Sequence, residues 1–291
     1  MKIKRSVGEW AFDIFNIVFL LAMAVVTLYP FIFVLFSSVS LPSRLIGQTG
    51  LLLLPKGFQL DAYRMVFMNP MIMVGYRNTL IYLVCGLAVN LFLTTMAAYA
   101  LSRKGVLLKR FFSLMIIFTM FFSGGLVPLF LQAQSYGILD TRWALILPNA
   151  MSAYNLIIMR TGFESVPISL EESAKLDGAN HFTICFRIVL PLSLPILAVV
   201  GLYYGVYHWN AWYHALIFLQ NRALYPLQMI LREILIQNQT DAMTAESGVK
   251  ESLGEVIKYA AIIVATVPVV CIYPFLQRFF VKGIMIGAVK E

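Results

Sequence analysis

165-SVPISLEESAKLDGANHFTICFRIVLPLSLP-195 is a long polar interruption between apolar runs, and it carries an internal plan. Pro167 stops whatever precedes it, and Ser169 with Glu172 three residues on has the spacing of a capping box that opens a helix. Glu171 and Lys175 stand four apart with the acid first, the favourable order for a pair on one helix face. Asp177-Gly178 reads as a stop, because glycine adopts the left-handed conformation that ends helices. Asn180 is placed to cap a second short helix, on which Phe182, Cys185, Phe186 and Val189 recur at helical spacing. Pro191 and Pro195 bend the chain into the next apolar run. The spacing predicts a helix–turn–helix with one apolar face, hung between two membrane spans: a docking element.

The rest of the chain agrees with membrane spans on either side. Of 291 residues, 60% are hydrophobic and only 12% charged, and the mean hydropathy is +0.82. Soluble domains carry about twice that charge, roughly 25%. The net charge of +8 does not call for nucleic acid, since cytoplasmic loops of membrane proteins are rich in Lys and Arg. Cys85, Cys185 and Cys271 lie far apart and match no metal or redox spacing.

Apolar runs predict an all-α integral membrane protein with six spans, at about 14–36, 78–101, 112–131, 143–159, 188–208 and 256–279. A basic N-terminal segment, 1–13, precedes the span domain, 14–279, and a basic tail, 280–291, follows it. The loop after the second span, SRKGVLLKR, gathers Arg103, Lys104, Lys109 and Arg110. That density of cations places it in the cytoplasm, with both termini on the same side. Gly124, Gly125 and Pro128 interrupt the third span. The fifth apolar run persists to about 219, so a bend is expected near His208-Trp209-Asn210. Gly201 and Gly205 make a small-residue stripe that suits a close helix approach. Residues 220–256 read as a long polar external loop.

Covalent chemistry has no footing in these residues. No phosphate-binding GxxxxGK[ST], HExxH or GxSxG occurs. His208 and His214 are six apart, about 240° around a helix, so they do not form a shared metal site. No metal, cofactor or enzymatic role is expected in this chain. A self-sufficient channel or a secondary carrier for a small polar solute is the alternative. Ion-coupled carriers usually place acids or bases inside their spans, and those are scarce here.

ESAKLDGA followed by FRIVLPLSLP resembles the EAA loop of permease subunits in binding-protein-dependent ABC importers. Glu172, Ser173 and Ala174 fall on its first three positions, Gly178 on its glycine and Leu190-Pro191 on its closing pair. Ser173 departs from the usual alanine but stays small. YHWNAWYHALIFL at 207–219 and the C-terminal QRFFVKGIMIGAVKE extend the resemblance over most of the chain, toward the carbohydrate type similar to the maltose-transporter permeases. The tail is similar to a subgroup that serves complex oligosaccharides, alginate- or pectin-derived acidic ones included.

The resemblance implies a type I importer permease fold in a bacterial inner membrane. It implies a coupling helix within loop 165–190 that meets the ATPase through Glu171, Glu172, Ser173, Ala174, Asp177, Gly178 and Ala179. The partners it implies are a second, non-identical permease, two ATPase subunits that bind the ATP and magnesium, and an external solute-binding protein. Trp209, Asn210, Trp212 and Tyr213 are candidates for the substrate path, because aromatic faces and side-chain amides grip sugars.

Overall fold

The computed structural model describes residues 7–45, 50–244 and 248–288. Among these every regular element is helical. In chain order they are α1 (Val7–Ser38), α2 (Pro42–Leu45), α3 (Asp61–Met68), α4 (Pro70–Ser102), α5 (Lys109–Phe121), α6 (Leu126–Ser135), α7 (Trp143–Ile146) and α8 (Ala153–Glu164). There follow α9 (Ile168–Leu176), α10 (His181–Ile184), a π-helical turn (Cys185–Val189), α11 (Leu190–Leu192), α12 (Leu194–Trp209), α13 (Trp212–Phe218), a 3-10 turn (Arg222–Leu224), α14 (Leu227–Thr244) and α15 (Gly248–Ala288).

Three helices are long and apolar enough to cross a membrane: Gly8–Ser38, Pro70–Ser102 and Gly254–Pro274. Two bent pairs raise the number to as many as five, the α5–α6 pair bent by 114° and the pair His181–Leu192 with Leu194–Trp209 bent by 87°. Length and composition therefore give three to five spans among the described residues, where the sequence suggests six. The expected fourth span, 143–159, is not one helix. α7 ends at Ile146 and α8 begins at Ala153, with Pro148, which has no N–H to offer a helix, in the gap. Two other expectations change. The second span begins at Pro70, ahead of the expected 78, and residues 227–244 of the expected external loop are helical.

The chain forms two compact units. One comprises Met1–Asn69 with Glu233–Val267. In it, the connection after α1 folds back on that helix: the Leu52 amide donates to the Tyr29 hydroxyl at 3.1 Å, and the Ser38 and Tyr63 hydroxyls meet at 2.7 Å. The Phe33 and Tyr259 rings meet edge to face with their centres 5.8 Å apart.

The other unit comprises Pro70–Arg232 with Pro268–Glu291. α4 is its axis and packs against α8 and α12. The core between them holds Tyr82, Ala98, Met159, Phe163, Val200 and Tyr204. Gly86 and Gly162 make this packing possible. A Cβ at Gly86 would overlap the His208 imidazole, and one at Gly162 would overlap Ile196. The Gly201–Gly205 stripe is not where helices meet most closely: Gly201 has only Leu91 in ordinary contact, and Gly205 faces open space.

A buried polar network satisfies the gap between α7 and α8. Asn90 Nδ2 donates to the carbonyls of Asn149 at 3.0 Å and Ala150 at 2.8 Å, and its Oδ1 meets His208 Nε2 at 2.6 Å. The Tyr204 hydroxyl accepts from the Ser152 amide at 2.9 Å and meets Thr94 Oγ1 at 2.8 Å. No charged residue stands between Arg77 and Arg103, and Asn90 lies midway between them. The gap is thus at the depth where a membrane protein must satisfy its own backbone.

Candidate coupling site

α9 begins one residue after Pro167, whose φ of −57° and ψ of 131° feed the chain into the helix. Because the helix opens at Ile168, Ser169 already lies inside it, and no side-chain cap bond forms. The expected capping box between Ser169 and Glu172 is therefore absent. The other end matches its expectation. Asp177 is the C-cap, Gly178 takes a φ of +80°, and the Ala179 amide closes on the Ala174 carbonyl at 2.9 Å. Asn180 caps the next turn, its Oδ1 accepting from the Thr183 amide at 2.8 Å.

This geometry gives α9 two faces. Glu171 and Ala174 point inward and are buried. Glu172, Ser173, Lys175 and Leu176 point outward, with Asp177 and Gly178 exposed beyond them. Leu176 is 90% exposed and Phe182, on the following helix, 58%.

The inward face is fixed by one arginine. Arg103 Nη1 donates to Glu171 Oε2 at 2.7 Å, with both side chains almost fully buried. Its Nη2 donates to the Phe163 carbonyl at 2.7 Å and its Nε to Ser102 Oγ at 3.0 Å. The guanidinium also lies 5.2 Å from the centre of the Tyr99 ring. Every edge of the fork is used, the condition under which a buried charge is tolerated. Lys175 reaches back to Glu171 Oε1 at 2.9 Å, the expected four-residue pair. Around it, Lys109 and Arg160 both meet Glu164 Oε1, at 3.3 and 3.0 Å. Tyr99 OH lies 3.2 Å from His181 Nδ1, which ties α10 to the end of α4.

Burial works to raise the Glu171 carboxyl, but the hydrogen bonds and charges of Arg103 and Lys175 outweigh it and hold the group below its ordinary value. Glu164 follows the same pattern with Arg160 and Lys109. Both acids are therefore anions at neutral pH, and the site is a closed set of ion pairs with an open outer face on which Leu176 stands among Glu172, Ser173 and Lys175. It holds geometry; it has no group placed for bond-making.

The sequence marks Arg103 only as part of a basic loop. Its role as the anchor of α9 depends on a partner 68 residues away, beyond any local pattern. The other candidates separate in the structure. Trp209 is buried within the chain, and Asn210 ends α12 with its Nδ2 donating to the Val206 carbonyl at 3.0 Å. The expected bend falls here, between Trp209 and Trp212. Trp212 and Tyr213 are exposed and meet edge to face at 5.6 Å. Arg232 stacks over Trp212 at 5.0 Å.

These features belong to a recognisable class. Residues 90–286 match the family described as binding-protein-dependent transport system inner membrane component, and the chain belongs to that family. It has the all-helical type I permease fold and is a multi-pass membrane protein. Among its relatives is the polygalacturonan/rhamnogalacturonan transport system permease protein YtcP of Bacillus subtilis, 42% identical over 282 residues that cover 96% of this chain and 98% of YtcP. Protein LplC of the same organism is 41% identical over 282 residues, covering 96% and 95%. A crystal structure of a bacterial ABC transporter involved in the import of the acidic polysaccharide alginate contains a similar chain. The two share 31% identity and a TM-score of 0.85, over 96% of this chain and 100% of the other.

Proposed function

We propose that this chain is one transmembrane subunit of an ATP-driven importer of oligosaccharides, acidic ones among them. It would pair with a second, non-identical permease, with two ATPase subunits that bind ATP and magnesium, and with an external solute-binding protein. The observation that carries this reading is the two-faced α9. Its inner face is bolted to α4 through Arg103–Glu171, its outer face offers Leu176 to a partner, and α10 offers Phe182. Closure of the ATPases on ATP would push on that face, and a buried ion pair would pass the movement to α4 as a rigid-body shift. Glu171 and Ala174 hold the helix; Glu172, Ser173, Asp177, Gly178 and Ala179 shape the surface. A channel or an ion-coupled carrier has no need of such a surface. The acidic class of sugar is supported by the names of the polygalacturonan and alginate relatives.

Leu176→Arg tests the reading. The side chain is almost fully exposed, so folding and membrane insertion should be untouched. ATPase subunits should no longer co-purify, and uptake should be lost. Normal co-purification and uptake would remove α9 from the coupling role.

A further inference from the structure

α12 runs antiparallel to α4, because His208 meets Asn90 and Tyr204 meets Thr94, which stands one turn nearer Arg103. Asn90 marks the middle of the membrane on α4. Tyr203 comes five residues before His208 and Asn210 two after it. At 1.5 Å per residue they lie about 8 Å and about 3 Å from that level, on opposite sides of it. Both are inside the hydrocarbon core, whose half-thickness is about 15 Å. Tyrosine is enriched at the membrane–water boundary, and Tyr203 is too deep to belong to that belt.

Tyr154, in the first turn of α8, sits at the same depth. The Ser152 amide, two residues before it, donates to the Tyr204 hydroxyl, and the rings of Tyr154 and Tyr203 meet with their centres 6.0 Å apart. Tyr203, Val206 and Asn210 follow one another at three and four residues, so they share one face of α12. The other face carries Val200, Tyr204 and His208, all buried, and packs on α4. The first face is open: Tyr154 is 53% and Tyr203 41% exposed, and Asn210 is exposed as well. Among the described residues neither tyrosine hydroxyl has a hydrogen-bond partner. Asn210 uses only its Nδ2, on the Val206 carbonyl. Hydrocarbon offers nothing to two hydroxyls and an amide oxygen, so lipid is a poor neighbour for this face.

We propose that Tyr154, Tyr203 and Asn210 line the route of the sugar through the middle of the membrane. An oligosaccharide supplies what this face lacks: hydroxyls for the two phenols and the amide, and C–H faces for the rings. The proposal rests on the importer reading and adds the residues that touch the solute, two of which lie outside the 207–219 stretch.

The test uses the complete transporter in nanodiscs, open to water on both sides, in a background without Cys85, Cys185 and Cys271. A charged methanethiosulfonate should modify Tyr203→Cys in the resting state or in the state trapped with ATP and vanadate. Phe118→Cys, at an exposed apolar position on α5, should stay unmodified. During ATP turnover, binding protein loaded with trigalacturonate, or with a neutral trisaccharide if it holds that instead, should slow the modification relative to empty binding protein. In proteoliposomes, Tyr154→Phe and Tyr203→Phe should each lower initial uptake at low sugar about three- to tenfold, the worth of one hydrogen bond. Should Tyr203→Cys fail to assemble, Tyr154→Cys and Asn210→Cys carry the same labelling test. No modification in either state would hand this face to lipid or to the second permease and overturn the proposal. Modification that loaded binding protein leaves unslowed would make the face a wet crevice beside the route, and overturns it too. So does wild-type uptake in both phenylalanine variants, which would leave the hydroxyls without the role argued here. A wild-type complex whose ATPase no loaded binding protein stimulates would overturn the importer reading, and this route with it.

Discussion

Glu171 on the short helix α9 and Arg103 at the end of α4 form a buried ion pair of 2.7 Å between residues 68 apart in sequence. The pair holds a surface helix by its inner face and leaves the outer face unencumbered. Its consequences can be measured one at a time.

Glu171→Ala leaves a buried guanidinium facing no anion. Breaking such a pair on one side costs about 3–5 kcal/mol. Hydrogen exchange of the amides in 168–176 should quicken accordingly, while those of α4 stay slow. Unchanged exchange in α9 would show that the Phe163 carbonyl and the Tyr99 ring suffice to keep the helix in place.

The pH response follows from the lowered Glu171 carboxyl. A depressed acid contributes stability that is fully present above its unfolded value, roughly 4.3, and lost as pH falls through the lower folded value. The anchor should therefore be constant from neutral pH down to about 5. Infrared difference spectra of wild type against Glu171→Gln should give a protonation midpoint below roughly 4.3. A midpoint above that value would mean that burial outweighs the cations.

Gly178 separates backbone from contact. A Cβ there meets open space, but its φ is +80°. Gly178→Leu should cost about 1–2 kcal/mol through backbone conformation alone and weaken ATPase co-purification. Gly178→Asn, a side chain that tolerates the left-handed region, should retain most of the binding. Equal loss in both would point to a tight contact at the glycine in the assembled complex.

Asn90→Leu removes the donor for two carbonyls and the partner of His208 Nε2. Each buried polar group left unsatisfied costs about 1–3 kcal/mol. The detergent-solubilised protein should melt several degrees lower, whereas Thr119→Ala, on an exposed helix face, should not change Tm. A wild-type melting point would mean that the gap between α7 and α8 finds other donors.

Orientation is open to chemical labelling. In a background without Cys85, Cys185 and Cys271, Gly50→Cys should react with an impermeant maleimide from outside intact, outer-permeabilised cells, and Lys104→Cys should not. Labelling at 104 would turn the permease over and put α9 outside.

Local rules were enough for part of this site. Asp177-Gly178, the Asn180 cap and the Glu171–Lys175 pair are decided within four residues, and each forms as read. The Ser169–Glu172 box follows an equally local rule and fails, because Pro167 starts the helix two residues earlier than the box requires. α14 escaped notice inside a polar stretch, although Leu227, Ile230 and Leu231 sit at helical spacing and are buried. The break at 147–152 holds Pro148 and Asn149 but lies inside a run, 143–159, that is apolar enough as a whole to read as one span. Asn90 and Tyr204, which make it tolerable, lie on other helices, so no window of sequence joins them.

α4 is uninterrupted from Pro70 to Ser102. One end carries the grip on α9, and the other, through Asn78, Thr79 and Tyr82, the grip on residues 223–227. The two grips are about 32–38 Å apart at 1.5 Å per residue. The helix is therefore a connecting rod. On the coupling reading proposed above, a displacement of the outer surface of α9 would arrive at the far clasp as a change of position, with no refolding in between, and residues 223–227 would follow the stroke.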